Sequence, residues 1–306
     1  MQEHKSPVKR KVSYHVFAVI SILGWSLAYV YTRMALRHFS VYSLGLLRYI
    51  IASAILLVLA PMLGVRRPAF KDAPKFAFAG AIGFFLYMIV FNKGSAMETA
   101  ATASIILATA PVITSLMSWA FFREKLSAIQ WAAIAVEFSG ILTLTLWNGV
   151  LSTGRGIPWL IAAACLLGTF NLQQRKLVKI YSGLQASIFS IFFGTAMLAV
   201  FAPSAFEEAR QAEPVFLYYA AVLGIFSSAL AYVTWSVAIE RAPGASHVSN
   251  YMFLTPFVAS LLGFLIAGEI PGMGTLTGGA IILFGVFLFN FGGRYFPGKD
   301  FPEPLG

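Results

Sequence analysis

Apolar residues in this chain come in runs too unbroken for half-buried strands. AILLVLAPML (54–63) and AIILFGVFLFNF (280–291) show no alternation. Strands of a membrane barrel would read as alternating segments of about ten residues. A helix that crosses a bilayer instead needs about 20 mostly apolar residues for a core of about 30 Å. Ten blocks of that kind follow one another: 14–33, 42–63, 75–93, 100–121, 127–147, 157–175, 183–203, 215–238, 245–267 and 274–293. The third and sixth are the least secure because they are short. The pattern predicts an all-α membrane protein of ten transmembrane helices joined by short polar links.

Composition agrees. The chain is 58% apolar and 11% charged, with a mean hydropathy of +0.78. A soluble domain carries roughly 45–50% apolar and about 25% charged residues, so a soluble fold of this sequence would lack polar groups to cover its surface. The net charge of +10 raises nucleic acid as a partner, but the distribution of cations argues against it. With ten spans both termini share a side, and 16 of the 22 Lys and Arg residues fall there, including Lys5, Lys9, Arg10, Arg66, Arg67, Arg175, Lys176 and Arg294. Arg33, Arg37, Lys93, Arg155 and Arg210 fall on the other side, and Arg48 lies inside a span. The positive-inside rule then places both termini in the cytoplasm. The basic N-terminus, its apolar run and Ser26-Leu27-Ala28 also have the form of a signal peptide. Cleavage there would strip the first span, so 14–33 is taken as a retained helix. The single cysteine, Cys165, permits no intrachain disulfide.

The chain repeats itself. PVITSLMSWAFFRE (111–124) and PFVASLLGFLIAGE (256–269) both open on Pro, close on Glu and share Ser-Leu at the same inner places, 145 residues apart. The same shift carries Gly140 onto Gly285. The chain therefore divides into a segment 1–13, a five-helix half 14–150, a second half 151–293 and a tail 294–306. Five is odd, so the second half enters the membrane from the opposite side and the halves are inverted. Inverted repeats are a transporter architecture with a midplane binding site.

Ten spans in two halves, with P-x12-E closing the fourth span of each, resemble the EamA branch of the drug/metabolite transporter superfamily. GWSLAYVYTRMAL in the first span and SLGLLRYIIASAI in the second resemble that family's opening pair. The likeness covers about 14–293 and is nearest to the YddG-type bacterial amino-acid exporters. It implies a bacterial inner-membrane protein whose central cavity is lined by spans 1, 3, 4, 6, 8 and 9, with spans 5 and 10 at the edge. It also implies export. The Leu47-Arg48 pair has no counterpart in the second half, where the shift meets Phe192 or Phe193.

Polar groups inside spans are costly, and usually functional or paired. Arg48 lies about 9 Å into the second span and Glu137 about 15 Å into the fifth. A structural ion pair between them, an Arg capping carbonyls, and a proton or substrate-carboxylate site are all open. Trp25, Tyr29, Tyr87, Asn171, Gln174, Tyr232, Trp235 and Asn250 are the candidate substrate-binding residues. Neutral amides and phenols can hydrogen-bond a zwitterion without burying net charge, and aromatic faces suit ammonium groups. The same residues could equally form interfacial belts or packing. Pro111 and Pro256 remove an intrahelical hydrogen bond and are candidate hinges, or static bends. Glu124 and Glu269 end those two spans as charged termini, and a gate role would need a breakable partner. Gly274 and Gly278 form a G-x-x-x-G pair for close helix packing, which joins the halves or a second copy.

The motifs H-E-x-x-H and G-x-S-x-G are absent, as is a P-loop, so neither an enzyme nor an ATP-driven pump is expected, nor any cofactor or metal. Small multidrug exporters of the same superfamily resemble a proton-coupled design with a Glu in the first span; none lies there in this chain, so the resemblance weighs against cationic drugs. Between Glu240 and Gly293 the only cation is Arg241, which weighs against dianionic phosphates. The expectation is a secondary exporter of zwitterionic or neutral metabolites, amino acids of broad range among them. It would work by alternating access and function as a monomer among membrane lipids. The alternatives are a multidrug or other metabolite exporter of the same superfamily, and a channel or non-transporting scaffold.

Overall fold

The computed structural model describes residues 13–122, 126–147, 154–241, 248 and 250–295. Among these residues the chain is helix and connecting turn, without a strand. In chain order the helical runs are α1 (Tyr14–Ala35), α2 (Val41–Met62), α3 (Phe70–Met97), α4 (Ala100–Phe121), α5 (Ala128–Leu146) and α6 (Ile157–Leu177). They continue with α7 (Gly183–Gln211), α8 (Pro214–Arg241), α9 (Thr255–Ala267) and α10 (Met273–Tyr295). Six of the described helices, α1 to α4, α7 and α8, are long and apolar enough to cross a membrane, and the apolar parts of α5, α9 and α10 are shorter.

The starts are set by hydroxyl side chains in the links. Ser13, Ser40, Thr99, Ser127 and Ser182 each accept a backbone N–H from the first turn of α1, α2, α4, α5 and α7. Such a cap is worth about 1 kcal/mol. At Ser127 the box is reciprocal, because the Gln130 side chain returns to the Ser127 N–H. Gly268 ends α9 in the left-handed conformation, φ 65°, which only Gly adopts cheaply. The N–H groups of Gly268 and Glu269 then close on the Phe264 and Gly263 carbonyls.

Two boundaries differ from the hydropathy blocks. α3 runs from Phe70 to Met97 and is not short. α7 continues past residue 203 through the polar stretch to Gln211, because EEARQ is a good helix former in which Glu207 and Arg210 are exposed and Glu208 accepts from the Ser40 N–H and the Ser43 hydroxyl at the start of α2. The prolines differ too. α4 is interrupted at Ala108–Thr109, and Pro111 stands in the first turn of its second part. Pro256 stands in the first turn of α9, after the 3-10 stretch Asn250–Leu254. Both occupy places where a missing N–H costs nothing, so the break precedes each proline and neither bends an unbroken helix.

α3 and α8 each contain a widened segment of π-helical backbone, Ala81–Leu86 and Leu223–Leu230. The Tyr87 and Ala231 N–H groups reach back five residues, to the Ile82 and Phe226 carbonyls. α1 packs on α8 and α9, α2 on α7 and α8, and α3 on α6 and α7. Leu46, Tyr49, Phe76, Phe84, Met88, Leu160, Ile188 and Ile191 form the main core between them. Leu57, Val58, Phe138, Phe257, Leu265 and Phe287 stand exposed on the outside of their helices, an apolar surface suited to lipid.

α5 and α10 make the closest pairing. Gly278 presents its carbonyl to Gly140, and Gly274 lies against Trp147. The G-x-x-x-G pair therefore joins α10 to α5, across the two halves of the chain. Gly285 belongs to the same seam. A Cβ there would lie 2.5 Å from the Glu137 side chain.

Candidate substrate chamber

The aromatic candidates converge from both halves of the chain. Trp25 on α1 meets Tyr232 and Trp235 on α8, with ring centroids 5.7 and 4.9 Å apart. Tyr29, one turn along α1, meets Phe91 on α3 at 5.7 Å, and Phe91 stacks on Tyr87 at 5.5 Å. Phe84 bridges the group, 5.5 Å from Tyr49, 5.2 Å from Phe170 and 5.8 Å from Tyr232. Each such pair is worth about 0.5–1.5 kcal/mol beyond its burial. Tyr29, Tyr87 and Tyr232 are each only partly buried, so each keeps some exposed surface within the group.

Arg48 stands in this group. The Tyr29, Tyr49, Tyr87 and Tyr232 hydroxyls all lie within reach of its charge. Its guanidinium carbon is 5.6 Å from the Tyr49 ring, and its Nε donates to the Ser228 hydroxyl at 2.5 Å. Arg48 is 5% exposed, and no carboxylate among the described residues pairs with it. One of the open alternatives is thereby excluded, and the candidate group is not made of neutral residues alone. Arg48 and Glu137 form no ion pair, because α5 packs against α10 while α2 packs against α7 and α8. The lining is also not free of fixed charge, since an intramembrane cation stands among its phenols.

Not every candidate joins the group. Asn171 donates to the Thr114 hydroxyl at 3.3 Å and Gln174 to Ser187 at 3.0 Å, so both tie α6 to its neighbours. The Gln174 carbonyl oxygen is buried without a partner. The side chain of Asn250 lies outside the described residues, as does all of Glu124. Glu137 is 4% exposed in the α5–α10 seam, with one carboxylate oxygen unpartnered. Tyr49, Phe84, Phe91 and Ser228 are the additions that sequence reasoning missed. Tyr49 adjoins Arg48, a usable signal, whereas a serine in a run of apolar residues gives none.

Glu269 is not the solvated terminus expected of it. It is 13% exposed on its side chain, pairs with Arg33 of α1 at 2.5 Å, and accepts the Ala100 N–H at the start of α4 at 2.9 Å. Nearby, Glu98 accepts the Gly156 N–H at 3.0 Å. Burial pushes the Glu98 carboxyl up, partly offset by that bond and by Arg33. At the opposite end Asp72 accepts from Lys75 at 2.7 Å and from the Tyr181 hydroxyl at 2.6 Å, joining α3 to the α6–α7 link.

The model of the EamA-like transporter family matches residues 12–146 and again 154–291. The chain belongs to the EamA-like transporter family. This EamA-like chain is 32% identical over 281 residues to the "Probable terminal-alkyne amino-acid exporter" of Streptantibioticus cattleyicolor, covering 92% of this chain and 94% of that one. It is 29% identical to the uncharacterized transporter YdfC of Bacillus subtilis, covering 91% of each. It is 24% identical to the uncharacterized inner membrane transporter YedA of Escherichia coli K12, covering 92% of each. A crystal structure at 18% identity matches with a TM-score of 0.61 over 92% of this chain and 99% of that one, a likeness of fold. The family and these relatives are transporters rather than enzymes, and this EamA-like chain is a multi-pass membrane transporter of small molecules.

Proposed function

We propose that the chain is a secondary exporter of amino acids and related small metabolites, working by alternating access between two inverted five-helix halves. The observation that carries this reading is Arg48, buried without a carboxylate partner among the described residues and set in a group of tyrosines. A buried cation is costly, about 2.5–3.5 kcal/mol at a helix centre on insertion scales, and a substrate carboxylate offsets that cost while bound. The Trp25, Tyr232 and Trp235 faces suit the ammonium group and apolar side chains of a zwitterion. The exporter of S. cattleyicolor named above supports the amino-acid class. A cationic drug would bring a second positive charge beside Arg48, which disfavours the multidrug alternative.

The inversion rests on paired features. Each of α3 and α8 carries a π-helical stretch followed by a tyrosine, Tyr87 directly after Leu86 and Tyr232 one residue after Ala231, and the tyrosines are 145 residues apart. Pro111 and Pro256 bear the same relation at the breaks before the second part of α4 and before α9, which suits them as hinges. In this reading the ten helical runs are ten spans of the bacterial inner membrane. Both termini are cytoplasmic, and the Arg33–Glu269 pair lies at the outer surface. A monomer suffices, because both halves are in one chain.

Counterflow into proteoliposomes tests the proposal. Threonine, methionine, tryptophan, glutamate and lysine would be compared with a quaternary-ammonium drug and a sugar phosphate. Accumulation of several amino acids is expected. Accumulation of the drug alone would point to a multidrug exporter, and none at all to a channel or scaffold.

A further inference from the structure

The carboxylate reading of Arg48 leaves open how a flexible side chain is held ready for its ligand. An Arg presents a planar fork that can grip a carboxylate through two parallel N–H donors. That grip needs the fork aimed and its own spare donor occupied. Both conditions are met from one place on α8.

Ser228 is fully buried and accepts from Nε of Arg48, the donor on the side-chain stem. The two terminal nitrogens have no hydrogen-bond partner among the described residues. The guanidinium also lies 5.6 Å from the Tyr49 ring centroid, a second contact that limits its swing. Ser228 lies in the π-helical segment Leu223–Leu230 of α8, one turn beyond Gly224 on the side that meets α2. The helices meet closely at this level. A Cβ on Gly224 would lie 2.9 Å from the Arg48 carbonyl oxygen and 2.6 Å from Ile51. Only a short side chain fits across such a gap, and a hydroxyl is the shortest that can accept a hydrogen bond.

We propose that Ser228 is a positioning residue: it seats Arg48 through Nε and leaves the terminal nitrogens for two-point binding of the substrate's carboxylate. The proposal rests on the exporter reading above. It assigns specificity for a free carboxylate to an α2–α8 pair that no aromatic contact supplies.

The test is concentration-dependent counterflow of methionine and of methionine amide in wild type, Ser228→Ala and Ser228→Thr. The amide keeps the ammonium and side chain but lacks the carboxylate. In Ser228→Ala the KM for methionine should rise about tenfold at nearly unchanged maximal rate, the range expected for one hydrogen bond to a charged group. Ser228→Thr should recover most of that affinity, and the amide should respond equally in all three. An unchanged KM would overturn the proposal. So would an equal loss of maximal rate for acid and amide, which marks a merely structural serine. A second variant guards against misfolding. Arg48→Lys keeps the charge and deletes Nε, so adding Ser228→Ala to it should have no further effect on KM, and a full additional loss would also refute the assignment. If wild type moves neither compound, the exporter reading itself fails, which is a separate result.

Discussion

Arg48 on α2 and Glu137 on α5 are both buried within apolar helices, yet their surroundings differ. Arg48 touches a hydroxyl and an aromatic face, with four phenols within reach of its charge. Glu137 lies in a seam where glycine brings two helices nearly to backbone contact, and one of its oxygens has no partner. A guanidinium cannot shed its charge, so the protein must supply polar company and access to water. A carboxyl can take up a proton and survive in a dry seam as a neutral group. The contrast teaches that burial alone does not set two charges apart. In the proposed reading, what marks Arg48 is burial among hydroxyls and aromatic faces with its terminal nitrogens left over.

The comparison can be broken most directly at Arg48. Arg48→Ala should lower counterflow of carboxylate substrates by roughly 100-fold, the upper range for a charge-assisted hydrogen-bonded contact. Undiminished transport would remove Arg48 from the chamber's chemistry. Next in size is the seam. Gly285→Leu must force α5 and α10 apart against Glu137 and the Ala133 carbonyl. It should cost about 1–3 kcal/mol, the usual range for overpacking, seen as a lowered Tm in detergent. Glu137→Gln preserves shape and removes only the titratable proton. Transport within about twofold of wild type is expected, since no ion pair is lost, and a collapse of transport would restore Glu137 as a coupling site.

The smallest effect concerns Glu98, outside the spans. Burial raises its carboxyl above the ordinary range, so the folded chain holds that proton more tightly than the unfolded chain does. The stability it contributes is complete below the unfolded value, about 4.3, and is lost as pH rises through the folded value. Glu98→Gln keeps an oxygen for the Gly156 N–H. It should melt roughly 1–2 °C above wild type at pH 8 and level with it at pH 4. The reverse order would mean that Arg33 outweighs burial.

Much of this was legible in the chain. Span-length apolar runs locate the helices, and Trp25, Tyr29, Tyr87, Tyr232 and Trp235 do gather. Ser228 was not legible, because a serine in an apolar run carries no sign of the arginine it meets on another helix, 180 positions away. Glu269 was misjudged as a solvated terminus because its partner, Arg33, lies 236 positions away. Asn171 and Gln174 have the right chemistry, but their bonds go to Thr114 and Ser187.

One carboxylate, Glu269, holds the side chain of α1, the first N–H of α4 and the end of its own helix together. Its Arg33 partner is 34% exposed, so dissolved ions compete there more readily than around Arg48, which is 5% exposed. Under the proposed alternating access, the opening of that end is therefore expected to answer to the medium: raising ionic strength should shorten the lifetime of the Arg33–Glu269 contact, while binding in the proposed chamber should depend on salt much less.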